Sequence, residues 1–377
     1  MATETSQQPS HHAPLLSRII SHLRPKSKAQ IQDFPIDPRP PLRPYSLPLV
    51  LSQHTPNLAF QGWTTVSFPV PSSECPSQHP VHRGFENLFE SSKAFFDQPF
   101  EEKEKWKTKL GSEEGWSRVE GEKEFITIRT IEGTPEILRD AAKQCWAAAG
   151  DLMDAMLGRV SESLDMDGGE GEGGLRQFVG PCKRLGEMKR DRTPTMLRLF
   201  RYEGDESKIV AEPHSDLGLL SMVMGATPGL EVWDIPSKSW FPIEKTYQQP
   251  SASLLVGRQL ERLTNFRYRA GGHQVRSYGV PTSPPPSQPS DPKKHNYRYS
   301  IVFVLRAHSP VAIDTDALTT PVTGDFHTPI KGITAGQMFE QIRGAHFNIN
   351  TNLEERDKQK RLLIESRQKA AAAKGSG

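Results

Sequence analysis

Between Thr195 and Leu305 the apolar residues come in short runs broken by turn residues, not at helical spacing. The runs Met196 to Tyr202, Leu217 to Met224, Leu230 to Trp233, Ser253 to Val256, Arg267 to Ala270 and Tyr297 to Leu305 have the length and composition of strands. Several such strands in series predict an all-β sandwich or barrel. Upstream the period changes. Leu58 to Phe68 reads as a helix end followed by a strand, anchored by Trp63, Val66 and Phe68. Phe85, Leu88, Phe89, Ser92 and Phe96 recur at helical spacing and stop before Pro99, so core packing is their expected role. Thr134 reads as a cap and Pro135 as the first residue of a long helix through Leu138, Ala142, Cys145, Ala149, Leu152, Met156 and Val160. That helix should brace the barrel. Near the end, Thr334 and Gln337 form a capping-box pair, with Ile333 placed to staple onto Met338. Met338, Ile342 and Ala345 then share one face of a helix reaching Phe347, with Phe339 and His346 beside it.

With 377 residues the chain can bury a sizeable core, and one catalytic domain with a helical N-terminal part fits better than two independent domains. The expected organisation is a flexible basic and Pro-rich leader (1–44), an N-terminal helical region (45–190), a catalytic core (191–312), a C-terminal segment with a lid helix (313–350) and a charged tail (351–377). Within the leader, Leu16, Ile19, Ile20 and Leu23 lie beside Arg18, Arg24 and Lys26. The acidic Glu4 and the short length argue for a flexible or docked leader over a targeting peptide. Asp165 to Gly174 is acidic and glycine-rich and reads as a loop, and Pro281 to Pro292 reads as a surface insertion in a hairpin.

Net charge is +2, and no basic patch alternates with aromatics, so no nucleic-acid partner is expected. No apolar run approaches a membrane span, and Met1 to Pro14 lacks a signal-peptide core. Cys75, Cys145 and Cys182 are odd in number and lack metal-type spacing, which favours a reduced, cytoplasmic protein over a disulfide-framed one. No obligate protein partner is evident.

Three stretches carry chemistry: His214-Ser215-Asp216, His273, and Arg298-Tyr299-Ser300. Two imidazoles and one carboxylate are the ligand set of a facial triad that holds Fe(II) and leaves coordination positions open. With twelve His in the chain a lone His-X-Asp means little, but this one sits among strand-like runs. His273 follows Gly271-Gly272, which lets the backbone pass close to another group. Arg298 and Ser300 fall on one face of a strand that is almost wholly apolar after Ser300. A buried Arg there needs an anionic partner, and its fork suits a carboxylate.

In this order the motifs resemble the iron(II) and 2-oxoglutarate-dependent dioxygenases of the isopenicillin N synthase-like group. Gly257 to Asn265, followed by Arg267-Tyr268-Arg269-Ala270 and His273, is similar to the segment leading to that family's second iron histidine. Leu58 to Phe68 and Phe95-Phe96-Asp97-Gln98-Pro99 with Glu101, Glu102 and Lys103 look like its N-terminal region, so the likeness covers roughly 45–350. The resemblance implies a mainly β fold with helices (α+β), a double-stranded β-helix or jelly roll braced by N-terminal helices. It implies that His214, Asp216 and His273 bind Fe(II), that Arg298, Ser300 and Tyr202 hold 2-oxoglutarate, and that O2 is consumed in oxidising a C–H bond of a small molecule. Hydroxylation is the default outcome, with desaturation or ring closure using the same site. A likeness to fungal small-molecule oxygenases points to secondary metabolism and an amino-acid-derived or similar substrate. Arg118, Phe125, Arg129, Ile342 and Phe347 are the pocket candidates it suggests. Three alternatives stay open: an oxidase like isopenicillin N synthase that uses no 2-oxoglutarate, a retired metal- or ligand-binding barrel, and a zinc hydrolase, which would leave Arg298 and Ser300 unexplained. Two departures stand out, Arg258 in place of the family's Asp, and Asn265-Phe266 in place of Asn-Gly, for which a looser turn is expected.

Overall fold

Two antiparallel sheets enclose an apolar interior. The computed structural model describes residues 37–71, 77–166, 173–279 and 296–375. The fold is that of the described residues from Pro40 onward. The leader's amphipathic segment, the insertion Pro281 to Pro292, Cys75 and most of the acidic loop lie outside the described residues.

Eleven strands build the two sheets: β1 (Trp63–Ser67), β2 (Gly115–Val119), β3 (Lys123–Ile128), β4 (Met196–Glu203), β5 (Ser207–His214), β6 (Leu220–Gly225), β7 (Leu230–Asp234), β8 (Ser239–Phe241), β9 (Ser251–Val256), β10 (His273–Tyr278) and β11 (Tyr297–Leu305). The large sheet runs β1-β9-β6-β11-β4-β3-β2 and the small one β5-β10-β7-β8. Phe125, Phe200, Tyr202, Val223 and Leu255 of the first meet Val210, Ala211, Leu230, Val232 and Val275 of the second in one apolar cluster. This is the jelly-roll arrangement expected.

Alternation along β11 explains why the chain folds this way. Ile301, Phe303 and Leu305 join the main core outside the barrel, while Val302 packs on the inner cluster, so Arg298 and Ser300 face inward with it. The outer face is covered by the helices Pro80–Phe96 and Glu136–Ser163. His79 Nδ1 accepts from the Val81 amide at 3.3 Å, and a proline occupies the first turn of Pro80–Phe96. Trp146 of the long helix meets Phe303 of β11 edge-on at 5.2 Å and donates Nε1–H to the Cys182 carbonyl at 3.1 Å. Cys145 and Cys182 are buried free thiols, and burial pushes the Cys182 thiol up to about 11.

Several expectations are corrected. Arg267 to Ala270 is not a strand: Gly257-Arg258 onward forms the helix Arg258–Leu263, and Tyr268 plugs the core with its hydroxyl 2.7 Å from Ser163 Oγ. The run from Leu217 enters its sheet at Leu220, after a turn that carries Asp216. Pro135, not Thr134, is the N-cap of the long helix, because the Thr134 hydroxyl is spent on the Thr130 carbonyl at 2.5 Å. Asn265 and Phe266 have φ of +48° and +63°, so the left-handed pair persists without glycine as the end of a helix. Asn265 fixes it by donating Nδ2–H to the Thr323 and Asp325 carbonyls, each at 2.9 Å. The region 45–190 is not purely helical, since it supplies β1, β2 and β3 to the large sheet. The tail holds the helix Leu353–Gly375, whose Arg356 is buried. Thr334 and Gln337 do form the capping box of Ala335–Gly344, and Met338 and Ile342 are buried as expected, but Ala345 is exposed.

Candidate metal centre and carboxylate site

His214 ends β5 and His273 begins β10, and the two are cross-strand partners with ring centroids 4.1 Å apart. Directly opposed side chains on one face of an antiparallel pair are brought this close by the ladder itself. Gly271 permits the approach of the second histidine, because a Cβ there would collide with the carbonyl oxygen of Gly62, the residue just before β1. Asp216 is carried by the turn after β5, where its carbonyl accepts the Arg258 amide at 2.8 Å. The departure at Arg258 thus leaves the backbone contact to Asp216 in place.

One donor atom from each of His214, Asp216 and His273 lies within 4.8 Å of the others. Each imidazole holds a backbone carbonyl through Nδ1, His214 that of Glu212 at 2.7 Å and His273 that of Gly271 at 3.2 Å. Both Nε2 atoms therefore face Asp216, at 3.9 and 4.0 Å from its oxygens. Metal-ligating histidines are oriented in this manner, with the remote nitrogen donating to a carbonyl. Burial first, then the neighbouring His273, lowers the His214 pKa, which favours the neutral imidazole. Burial by itself would raise Asp216, but His273 and His214 outweigh it and hold the carboxyl below its ordinary value. Asp216 Oδ2 is buried without a hydrogen-bond partner. An orphaned carboxylate oxygen between two aligned imidazoles fits a divalent cation.

Arg298 sits further along the interior. Its anionic partner is already present in the chain: Nη2 donates to both Glu244 oxygens at 2.8 and 3.1 Å, and Nε donates to the Thr227 carbonyl at 2.9 Å. Gly225 and Gly229 make room for the guanidinium, since a Cβ on either would collide with it. Nη1 remains buried and unpartnered. Ser300 Oγ, on the same face, has a long contact of 3.4 Å to the Met224 carbonyl. Tyr202 pairs with Arg298 across the ladder, its ring 5.5 Å from the guanidinium, and burial raises its phenol pKa. The three expected cosubstrate residues thus share the barrel interior.

The pocket candidates separate. Phe125 lines the interior, 5.6 Å from the Phe200 ring. Arg129 donates Nε–H to the Thr193 carbonyl at 3.1 Å and lies in a polar cleft with Glu113, Arg306 and Arg343. Arg118 is on the surface beside Glu120, and Ile342 belongs to the outer core. Phe347 is half-buried, with Lys360 Nζ 4.8 Å above its ring. Glu244, Arg198 and Lys123 were not singled out from the sequence. The alternation Arg198, Phe200, Tyr202 on one strand was the available signal for the second; Glu244 lies in a short turn with none.

No protein-family model matches the chain, and no curated protein matches it in sequence. Solved structures do share the fold. A full-length Neurospora crassa protein, solved in complex with alpha-KG and 5-formyluracil, is 20% identical with a TM-score of 0.55 over 76% of this chain and 86% of its own. JOX2 in complex with 2OG, Fe and JA is 16% identical with a TM-score of 0.54 over 83% and 88% of the two chains. The dioxygenase for auxin oxidation in rice is 18% identical with a TM-score of 0.52 over 76% and 86%. The chain therefore shares the fold of these solved structures. Among the described residues no helix is long and apolar enough to cross a membrane.

Proposed function

We propose that the chain is a non-haem Fe(II)/2-oxoglutarate-dependent oxygenase acting on a small molecule. The carrying observation is the pairing, inside one barrel, of the His214, Asp216 and His273 donors with an Arg298 Nη1 that no group among the described residues satisfies. Fe(II), when bound, supplies the oxygen activation needed to oxidise an unactivated C–H bond, with 2-oxoglutarate as reductant. The chain supplies the rest. His214 and His273 present their Nε2 atoms, with backbone carbonyls at their other nitrogens, and Asp216 contributes the charge. Arg298 Nη1 and the Ser300 hydroxyl receive the far carboxylate of 2-oxoglutarate, and Glu244 keeps the guanidinium from turning away. Tyr202, Phe200 and Phe125 wall the interior and exclude water.

The small-molecule reading draws support from neighbours solved with 5-formyluracil and with JA. Hydroxylation is the default reaction, and a place in secondary metabolism rests on the sequence resemblance alone. The test is stoichiometric succinate release when the full chain is incubated with Fe(II), 2-oxoglutarate and candidate substrates. Oxidation without succinate would replace this reading with a 2-oxoglutarate-independent oxidase, and iron binding with no turnover of 2-oxoglutarate would point to a retired barrel.

A further inference from the structure

The inner face of β3 and β4 carries two cations that the 2-oxoglutarate reading does not use. The register Lys123↔Tyr202, Phe125↔Phe200 and Thr127↔Arg198 puts all six side chains on the face that lines the barrel. Arg198 donates Nε–H to Thr127 Oγ1 at 2.8 Å and stands 5.5 Å from the Phe125 ring centroid. Among the described residues its two Nη groups have no partner, and no carboxylate comes within ion-pair distance of it. The nearest acids are engaged elsewhere: Glu113 is held by Arg306 at 2.7 Å, and Asp216 belongs to the metal centre.

Lys123 is 2% exposed, and its Nζ makes one hydrogen bond, to the Ile349 carbonyl at 3.2 Å. Three donors with one acceptor leave a buried ammonium poorly satisfied. Its neighbours Glu122 and Glu212 are gripped by Arg356, and Glu212 also accepts from Lys360 at 2.5 Å. Glu122 and Glu212 are thus held by Arg356 and Lys360, and among the described residues neither Lys123 nor Arg198 has a carboxylate within ion-pair distance. Arg198 also adds to the charge that disfavours the Lys123 ammonium, which places the two in one electrostatic environment. Burying like charges without counter-charge is costly unless a ligand brings the anion.

We infer that the substrate is an organic carboxylic acid whose carboxylate docks on the Nη fork of Arg198, with Lys123 as the second cation and Phe125 and Phe200 against its apolar part. A forked guanidinium takes a carboxylate through two parallel hydrogen bonds, which also fixes the angle at which the carbon skeleton points to the metal. The inference rests on the oxygenase reading and names its substrate class.

The test uses the full chain saturated with 2-oxoglutarate, so that Arg298 is occupied. Acetate, butanoate, phenylacetate and indole-3-acetate are titrated against the corresponding primary amides. The expected result is that at least one acid binds about tenfold or more tightly than its amide, the size of a charge-assisted hydrogen bond. Arg198→Gln should erase that preference while changing 2-oxoglutarate affinity less than about twofold, because Arg298 is untouched. Arg198→Lys should restore part of it, and Lys123→Met, which cannot unbalance a buried ion pair, should reduce it severalfold. No acid-over-amide preference anywhere in the series, or a preference that survives both Arg198→Gln and Lys123→Met, overturns the inference. If 2-oxoglutarate itself does not bind, the oxygenase reading falls first, and the two failures are told apart by that titration.

Discussion

Arg298 is clamped by Glu244 through Nη2 at 2.8 and 3.1 Å, and the clamp leaves its Nη1 buried and free. The guanidinium is thus held edge-on by the protein, so a ligand carboxylate meets a fixed donor and does not have to order a flexible one.

This geometry changes what removal of the arginine should do. Arg298→Leu is expected to weaken 2-oxoglutarate binding by roughly 2–5 kcal/mol, the usual range for truncating one side of a buried charge pair. It should also lower the melting temperature of the ligand-free protein, because Glu244 is then a buried carboxylate supported by two backbone amides alone. Ser300→Ala should cost about 1 kcal/mol of affinity and leave stability nearly unchanged. Titration calorimetry and thermal melting of the two variants decide this. Unchanged 2-oxoglutarate affinity in Arg298→Leu removes that residue from the cosubstrate site.

At the metal centre, Asp216→Ala, His214→Ala and His273→Ala should each abolish iron binding and turnover. The ligand-free fold should survive, since Asp216 Oδ2 satisfies no protein donor and each imidazole bonds only a carbonyl two residues away in its own chain segment. Iron content per chain and the melting-temperature rise on adding Fe(II) or Zn(II) are the readouts. Retention of that rise in any variant would exclude the substituted residue as a ligand.

Phe266 offers a test of backbone strain. Its φ of +63° is a region that an unbranched residue enters at a cost and a β-branched one enters at a larger cost. Because the side chain is 46% exposed, little packing is at stake. Phe266→Gly should be more stable than Phe266→Val by about 1–2 kcal/mol in chemical denaturation, the size of the left-handed penalty. Equal stabilities would mean that the turn relaxes out of the left-handed region.

The candidate ligand triad was legible because each of its members lies near a distinctive neighbour in sequence, the X-Asp after His214 and the Gly-Gly before His273. The strand alternation that turns Arg298 and Ser300 inward was legible for the same reason, as period two is a local property. What escaped depended on tertiary pairing. Glu244 meets Arg298 from a short turn 54 residues away in sequence. Lys123 and Glu124 are charged residues in a fully buried strand, where Glu124 is satisfied by Lys103 at 3.0 Å and by Trp116 Nε1 at 3.0 Å, on the face opposite Lys123. Arg267 to Ala270 has strand-like composition, and the packing of Tyr268 against Ser163 overrode it.

The buried Lys123 should make stability depend on pH in a direction that can be worked out. Burial first, opposed by Glu122 and reinforced by Arg356 and Arg198, lowers its pKa from an ordinary 10.5 to about 7 in the folded chain. Between those values the unfolded chain holds a proton at this site that the folded chain has released. Stability therefore rises with pH across this window, and the full cost of the lysine is felt below about pH 7, where the ammonium must be buried. Lys123→Met keeps the stem's apolar volume and removes the charge. It should raise the melting temperature of the ligand-free protein most at pH 6, less at pH 8 and least at pH 10. A carboxylic acid bound at Arg198 would supply the missing anion, so in the unsubstituted protein the pH dependence should flatten when such a ligand is added. A gain from Lys123→Met that is the same at all three pH values would show that the amine titrates normally, and the case for an unbalanced cation inside the barrel would fail with it.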